Sequence, residues 1–322
     1  MHALKFIFLS LQLALIVFMS LPVLAPDIGL WWLDNLINLQ LQWSLLAMLS
    51  ILLSLKIFRA TAIPLSLLYF PIILYNFGPL YLPGLADDQN KAVLKIAQLN
   101  IRYENSNINE IISTLLDTDF DLILIQEVAD NKVDTVGKLT QSYPYSVGSG
   151  SPRNYTSRLA LFSRWPLANT KIHDLGYVEG RVIETFVHPP DSDTSIKILA
   201  LHPGAPRNEV LWQLRNNTLE FIASQASSSA LQQQIVLGDI NVSPWSPIFK
   251  SLVKNSRLQN SAAGHGYIPS WALFTTNHLT RLLSSAYIDH CLVSKSFNIR
   301  DKQYHHIEGS DHVLISTILE LD

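Results

Sequence analysis

Three long stretches, over residues 6–26, 36–55 and 61–84, contain no Asp, Glu, Lys or Arg, whereas after residue 85 apolar runs become short and stop on polar residues. About 20 apolar residues cover a bilayer core, so the first pattern predicts about three transmembrane helices, over residues 6–25, 36–55 and 62–82, in an anchor of residues 1–84. Pro64, Pro71 and Pro79 are expected to kink or shorten the third. Trp31, Trp32, Trp43, Tyr75 and Tyr81 fall near the expected ends, where interfacial aromatics collect. A buried soluble helical domain is the competing reading, and the scarcity of charge weighs against it.

The second pattern has the grammar of an α/β domain over residues 85–322. Strands are expected over 93–101, 121–125, 159–163, 182–187, 196–201, 234–237, 287–293 and 312–319. Helices are expected over 107–116, with Ile108, Ile111, Ile112 and Leu115 on one face, and over 208–223. Residues 148–157 read as a loop, and the Ser- and Gln-rich stretch 226–234 as a helix end plus surface loop.

Charge changes the picture in two ways. Of 23 Lys and Arg only Lys5, Lys56 and Arg59 precede residue 85, and of 26 Asp and Glu only Asp27 and Asp34, which leaves the second part 20 basic against 24 acidic residues, net −4. Such a domain gives no compositional support for binding driven by phosphate neutralisation. The anchor's charges orient it: Lys5 precedes the first span, Lys56 and Arg59 separate the second from the third, and positive loops stay cytoplasmic. The expectation is a multi-pass protein of the plasma (inner) membrane with its catalytic domain extracytoplasmic. Cleavage of residues 1–25 as a signal peptide at Val23-Leu24-Ala25 would leave that topology unchanged. Cys291, the sole cysteine, reads as a small buried hydrophobe.

Most expected strands end on a group that can do chemistry. Asn100 closes one and Glu127 another, and polar groups at strand ends face the crevice where α/β folds bind ligands; each alone also fits a cap or a loop hydrogen bond. In Leu237-Gly238-Asp239-Ile240-Asn241, strand alternation would set Asp239 and Asn241 on one face, a base beside an amide donor. A turn-forming Asp-x-Asn is the competing reading. Gly309-Ser310-Asp311-His312 puts a carboxylate beside an imidazole before the last strand, and Asp289 supplies a carboxylate able to orient a histidine. His173, His188, His305 and His306 read as surface residues.

Leu99-Asn100, Gln126-Glu127, Leu201-His202, Gly238-Asp239-Ile240-Asn241, Ile288-Asp289-His290 and Ser310-Asp311-His312, in this order, resemble the endonuclease/exonuclease/phosphatase superfamily, in the bacterial form with an amino-terminal membrane segment. The resemblance covers residues 93–322. It implies a four-layered, DNase I-like α/β sandwich in which Glu127 is the principal Mg²⁺ ligand, with Mn²⁺ or Ca²⁺ as alternatives, Asn100 helps hold metal and phosphate, and Asp311 lies near the metal. It further implies that Asp239 and Asn241 orient the nucleophile, and that His202 and His312, the latter paired with Asp289, contact the scissile phosphate. Many relatives have Thr-His where this chain has Leu201-His202, followed by Pro203-Gly204-Ala205-Pro206. Tyr155 falls where related nucleases use a tyrosine, without their accompanying Glu.

The expected function is metal-dependent hydrolysis of a phosphoester, by a phosphodiesterase, nuclease or phosphatase, with water activated at Asp239. The substrate could be a nucleic acid, a phospholipid or a small phosphoester, and Tyr155 and Trp271 are candidates for binding it. The alternative is an inactive ligand-binding or scaffold module of the same fold. No obligate protein partner is evident.

Overall fold

The computed structural model describes residues 2–24, 29–57, 59–82, 91–148, 157–190, 195–228 and 233–321. Four helices come first: α1 (His2–Leu24), α2 (Trp31–Ile37), α3 (Gln40–Ile57) and α4 (Arg59–Tyr81). The chain continues through β1 (Val93–Asn100), α5 (Ile108–Leu116), β2 (Leu122–Gln126), α6 (Val133–Gly137), β3 (Tyr145–Val147), β4 (Ala160–Ser163), β5 (Leu167–Asp174), β6 (Arg181–Val187) and β7 (Ile196–Leu201). Next come α7 (Glu209–Ser227), β8 (Gln234–Asp239), α8 (Pro247–Ser256), β9 (Gln259–Asn260), β10 (Trp271–Ala272), α9 (His278–Leu283), β11 (Ser285–Ala286), β12 (Asp289–Val293), β13 (Ile299–His306) and β14 (Val313–Glu320).

Two six-stranded sheets, β13-β14-β1-β2-β4-β3 and β5-β6-β7-β8-β12-β9, lie face to face. Ile96, Leu124 and Leu161 from one interdigitate with Ile183, Ile198, Leu237 and Cys291 from the other. The opposite face of the first sheet buries the apolar stripe of α5, Ile108, Ile111, Ile112 and Leu115. That of the second buries Leu219 and Ile222 of α7 with Phe249 and Leu252 of α8. Apolar residues on both faces of the central strands require cover on both sides, and the result is the expected four-layered sandwich. Of the strands missed from the sequence, β3, β5, β9 and β13 lie at sheet edges, and β10 and β11 are two-residue strands paired with each other; in β5 and β13 polar and exposed residues mask the period of two. α7 runs on to Ser227, within the stretch expected to hold a helix end, and residues 229–232 of the expected loop lie outside the described residues.

Two of the early helices are long and apolar enough to cross a membrane, within Phe6–Leu24 and Ile63–Tyr81, and a third if α2 and α3, bent by 62°, count as one span. The three prolines inside α4 do not end it. α1, α3 and α4 pack around Leu15, Met19, Ala47 and Tyr69. Two pairs of their buried polar groups bond internally: Ser50 Oγ donates to Gln12 Oε1 at 3.2 Å, and Asn76 Nδ2 to Gln40 Oε1 at 2.9 Å. Where one apolar run was expected from residue 36, the chain turns a corner at Asn38 and Leu39. The polar side chains there bind the α/β domain: Asn35 Nδ2 donates to Pro206 O at 2.8 Å, Asn38 Oδ1 accepts from Ser243 N at 3.0 Å, and Gln42 Nε2 donates to Ser285 O at 2.7 Å. An apolar count cannot register such bonds.

Candidate active site

The parallel pairs β1/β2 and β7/β8 bring four carboxyl ends to one edge of the sandwich. Asn100 ends β1, Glu127 follows β2, His202 follows β7 and Asp239 ends β8. Asp289 opens the antiparallel β12 directly opposite Asp239, and β14 runs antiparallel to β1, which returns His312 to the same edge. Topology thus gathers residues that are more than 200 positions apart in the sequence.

Asn100 joins the two sheets. Its Nδ2 donates to Glu127 Oε1 at 2.9 Å and to Asp239 Oδ2 at 3.3 Å, while its Oδ1 accepts from Arg102 N at 3.0 Å. Glu127 Oε2 accepts from Tyr103 N at 2.8 Å. Glu127 holds φ 60°, an uncommon conformation for a non-glycine residue that re-aims the side chain as the strand ends. Burial opposes its ionisation, yet His202, Asn100 and the Tyr103 N–H together hold the carboxyl below its usual range.

Asp239 is buried, and its backbone N–H donates to Gln126 Oε1 at 2.6 Å across the sheets. His202 Nε2 lies 3.5 Å and His312 Nε2 3.6 Å from its Oδ2. Burial again opposes the charge, but the two imidazoles and the Asn241 N–H hold the carboxyl low. His312 Nδ1 meets Asp289 Oδ2 at 2.9 Å. Burial disfavours its protonation, but Asp289 and Asp239, one at each ring nitrogen, push the imidazole up to about 10. His202 is likewise raised, against its burial, by Asp239 and Glu127. Ser310 Oγ donates to Asn100 O at 2.8 Å and accepts from His312 N at 3.0 Å, which ties the last loop to β1.

The segment after β8 departs from expectation. The strand stops at Asp239, and Asn241, at φ 54°, donates its backbone N–H back to Asp239 Oδ1 at 3.0 Å, so the motif is a turn and not a continued strand face. The turn still holds both side chains at the site, with Asn241 Nδ2 donating to Pro203 O at 3.0 Å. Gly238, at φ 148°, is required because a Cβ there would sit 1.9 Å from Leu201 O.

A cleft of about 770 Å³ opens over these groups, lined by Glu127, His202, Asn241, Asp311, His312 and Trp271 among others. Trp271 Nε1 donates to Asp311 Oδ2 at 3.0 Å. Tyr155 lies outside the described residues. His173, expected at the surface, pairs with Glu184 at 3.0 Å, and His290 is buried against Val242 O, its pKa pushed down by burial to about 3. The sequence reading missed Gln126, Ser270, Arg215 and the α2–α3 corner. Ser270 Oγ accepts the backbone N–H groups of Ile288 and Asp289 at 2.9 and 3.0 Å. Gln126 carried a signal, being a polar residue at a fully buried strand position; the others had none.

The residues fit a hard divalent cation at Glu127. Each of its carboxylate oxygens accepts a single hydrogen bond, the group is ionised, and its side chain is 29% exposed to the cleft, leaving lone pairs for a cation. Asp239, Asp289 and His312 also lie close enough to share an ion, but His312 Nδ1 is committed to Asp289, and that trio suits proton handling better.

A four-layered sandwich with acids, amides and imidazoles at the carboxyl ends of its parallel strands defines a protein of the DNase I-like fold. The chain belongs to the Endonuclease/Exonuclease/phosphatase family, whose model matches residues 97–312. Members of the family are in general phosphoester hydrolases, typically dependent on a divalent metal. The fold is similar to that of an endonuclease/exonuclease/phosphatase protein from Beutenbergia cavernae (15% identity, 71% of this chain and 72% of that one, TM-score 0.55). It is similar also to the catalytic domain of human Nocturnin (17%, 71% and 95%, 0.55) and to Staphylococcus aureus beta toxin with bound magnesium ions (13%, 70% and 99%, 0.53). No curated protein sequence matches the chain.

Proposed function

We propose that this protein is a membrane-anchored, Mg²⁺-dependent phosphoester hydrolase whose catalytic domain lies outside the plasma membrane. The observation that carries the reading is the convergence of Glu127, Asp239, His202 and the Asp289–His312 pair around Asn100 in one cleft.

A divalent cation held by Glu127, with Asn100 and Asp311 beside it, would neutralise charge on the phosphoryl group. Asp239 is the base that takes a proton from the attacking water, kept anionic by its neighbours. His312, its orientation fixed through Asp289, donates from Nε2 to a phosphoryl oxygen, and His202 does so from the other side. An amide has two N–H donors; Pro203 O takes one from Asn241, and the other serves the phosphoryl group. Anchoring rests on the apolar lengths of α1 and α4 and of the bent α2–α3 pair. The outward placement rests on Lys5, Lys56 and Arg59 against Asp27 and Asp34.

The test is hydrolysis of bis(4-nitrophenyl) phosphate by the full chain in detergent, with Mg²⁺ and with chelator. Mg²⁺-dependent turnover that falls by roughly a thousandfold in Asp239→Asn is expected; turnover indifferent to both would sink the proposal.

A further inference from the structure

Part of the wall of the cleft is supplied by the apolar helical segment. Asn35, Asn38 and Leu39, from the corner between α2 and α3, line the same cleft as Glu127, His202 and His312. Leu39 is immediately followed by Gln40, the first residue of α3, so the cleft begins where the apolar helix begins. The corner is fixed in place: besides the bonds of Asn35, Asn38 and Gln42, Asp34 forms a buried ion pair with Arg215 at 2.6 Å. Arg215 Nη1 in turn donates to Asn241 O at 2.7 Å, inside the site.

The other apolar helices meet the domain through the same set of ends. Pro22 O, near the end of α1, accepts from Lys250 Nζ at 2.6 Å; Asn76 O and Leu80 O, near the end of α4, accept from Trp245 Nε1 and Gly266 N, both at 2.7 Å. With these helices crossing the bilayer, as proposed above, the cleft lies at the membrane–water boundary. The segments that meet at the corner carry exposed apolar residues. Leu30 and Trp32 stand at the start of α2, and Leu273, Phe274, Leu282 and Leu283 project from the β10–α9 segment, where Gln42 Nε2 reaches Leu283 O. An exposed apolar rim against the ends of apolar helices suits a lipid surface and costs stability in water.

From this geometry we infer that the substrate is a phosphoester of a membrane lipid: the phosphoryl group lies at Glu127, Asp239 and His312, and the hydrocarbon chain leaves past Leu39 along the outer end of α3. Leu39, Asn35 and Asn38 are then residues of substrate choice contributed by the anchor. The inference rests on the phosphoester-hydrolase reading and on the membrane crossing.

The experiment compares, for the full chain in detergent micelles with Mg²⁺, hexadecyl 4-nitrophenyl phosphate, methyl 4-nitrophenyl phosphate and a single-stranded DNA oligonucleotide. The reacting bond is the same in the first two, and contact with only a few methylenes should favour the hexadecyl ester in kcat/KM by roughly 100-fold. Leu39→Gln should lower the hexadecyl-to-methyl ratio about tenfold, since it puts an amide where a methylene chain is to pass. Equal Mg²⁺-dependent rates on the two esters, or faster cleavage of the oligonucleotide, would overturn the lipid inference and leave the hydrolase reading standing. A wild-type preference that Leu39→Gln leaves unchanged would overturn the path past Leu39. No Mg²⁺-dependent hydrolysis of any of the three would overturn both readings.

Discussion

Asp34, in the short helix before the corner, and Arg215, in the middle of α7, form a buried ion pair at 2.6 Å although 181 residues separate them. Asp34 Oδ2 also accepts from Trp212 Nε1 at 2.8 Å, and Oδ1 accepts from Ser246 Oγ at 2.5 Å, so the carboxylate is satisfied on both oxygens. Arg215 passes the connection on to the backbone of Asn241. The apolar helical segment and the turn after β8 are joined by two side chains.

Removing one partner of that pair leaves the other charge buried. Asp34→Ala is expected to cost about 3–5 kcal/mol of stability, and the double variant Asp34→Leu, Arg215→Met less than Asp34→Ala alone. Thermal melts of the full chain in detergent check this. A double variant as unstable as the single one would show that the pair's worth is not electrostatic.

The pH dependence of stability should carry the signature of His312. Its folded-state pKa is raised to about 10 from the usual 6.5. The stability it contributes is therefore complete below about pH 6.5 and lost as pH rises from there towards 10. Asp289→Asn should flatten that decline, measured in chelator so that metal binding does not intervene.

Lys302 behaves in the opposite sense. Burial pushes its amine down to about 8, and its Nζ donates to Ser261 Oγ at 2.8 Å and to Thr317 Oγ1 at 3.0 Å. A lysine whose folded pKa is depressed costs stability in full below about pH 8, and the cost fades between there and 10.5. Lys302→Met should stabilise the protein by about 1–2 kcal/mol at pH 7. Melting curves at pH 7 and pH 10 should show the gain shrinking at the higher pH.

Gly238→Ala puts a methyl group 1.9 Å from Leu201 O at a φ of 148°. The backbone must move to admit it, so a loss of roughly 3 kcal/mol or more is expected, with catalytic turnover falling because Asp239 is the next residue. A variant with an unchanged melting temperature would contradict the packing of β8 against β7.

Mg²⁺ should stabilise the native chain through the site at Glu127. At a concentration about 100-fold above Kd, linkage predicts about 2.7 kcal/mol. Glu127→Gln removes the anionic ligand and should abolish most of the shift in melting temperature. An equal shift in that variant would place the ion elsewhere in the cleft.

Much of the fold was legible because its central strands are buried on both faces, so that residues 122–125 or 196–201 read as short, largely apolar runs stopped by polar residues. The polar stops Asn100, Glu127 and Asp239 were legible for the same reason, and His312 as the residue just before the last apolar strand. β5 and β13 were hidden because one-sided burial at a sheet edge leaves little pattern. Asn241 lies beside Asp239 through a turn and not through strand alternation: the Asp239 side chain captures its backbone N–H and ends the strand.

The sequence by itself determined which stretches are apolar enough to cross a membrane, which strands need cover on both faces, and which residues stand at the strand ends, because these depend on local composition and period. Only the tertiary structure decided that Asp239 faces His202 and His312, that Gln126 supports Asp239 across the sheets, and that Asn35, Asn38 and Leu39 join the cleft. Those pairings are set by how two sheets and a helical corner pack together. Contacts between residues nearly 200 positions apart leave no periodic trace along a single chain.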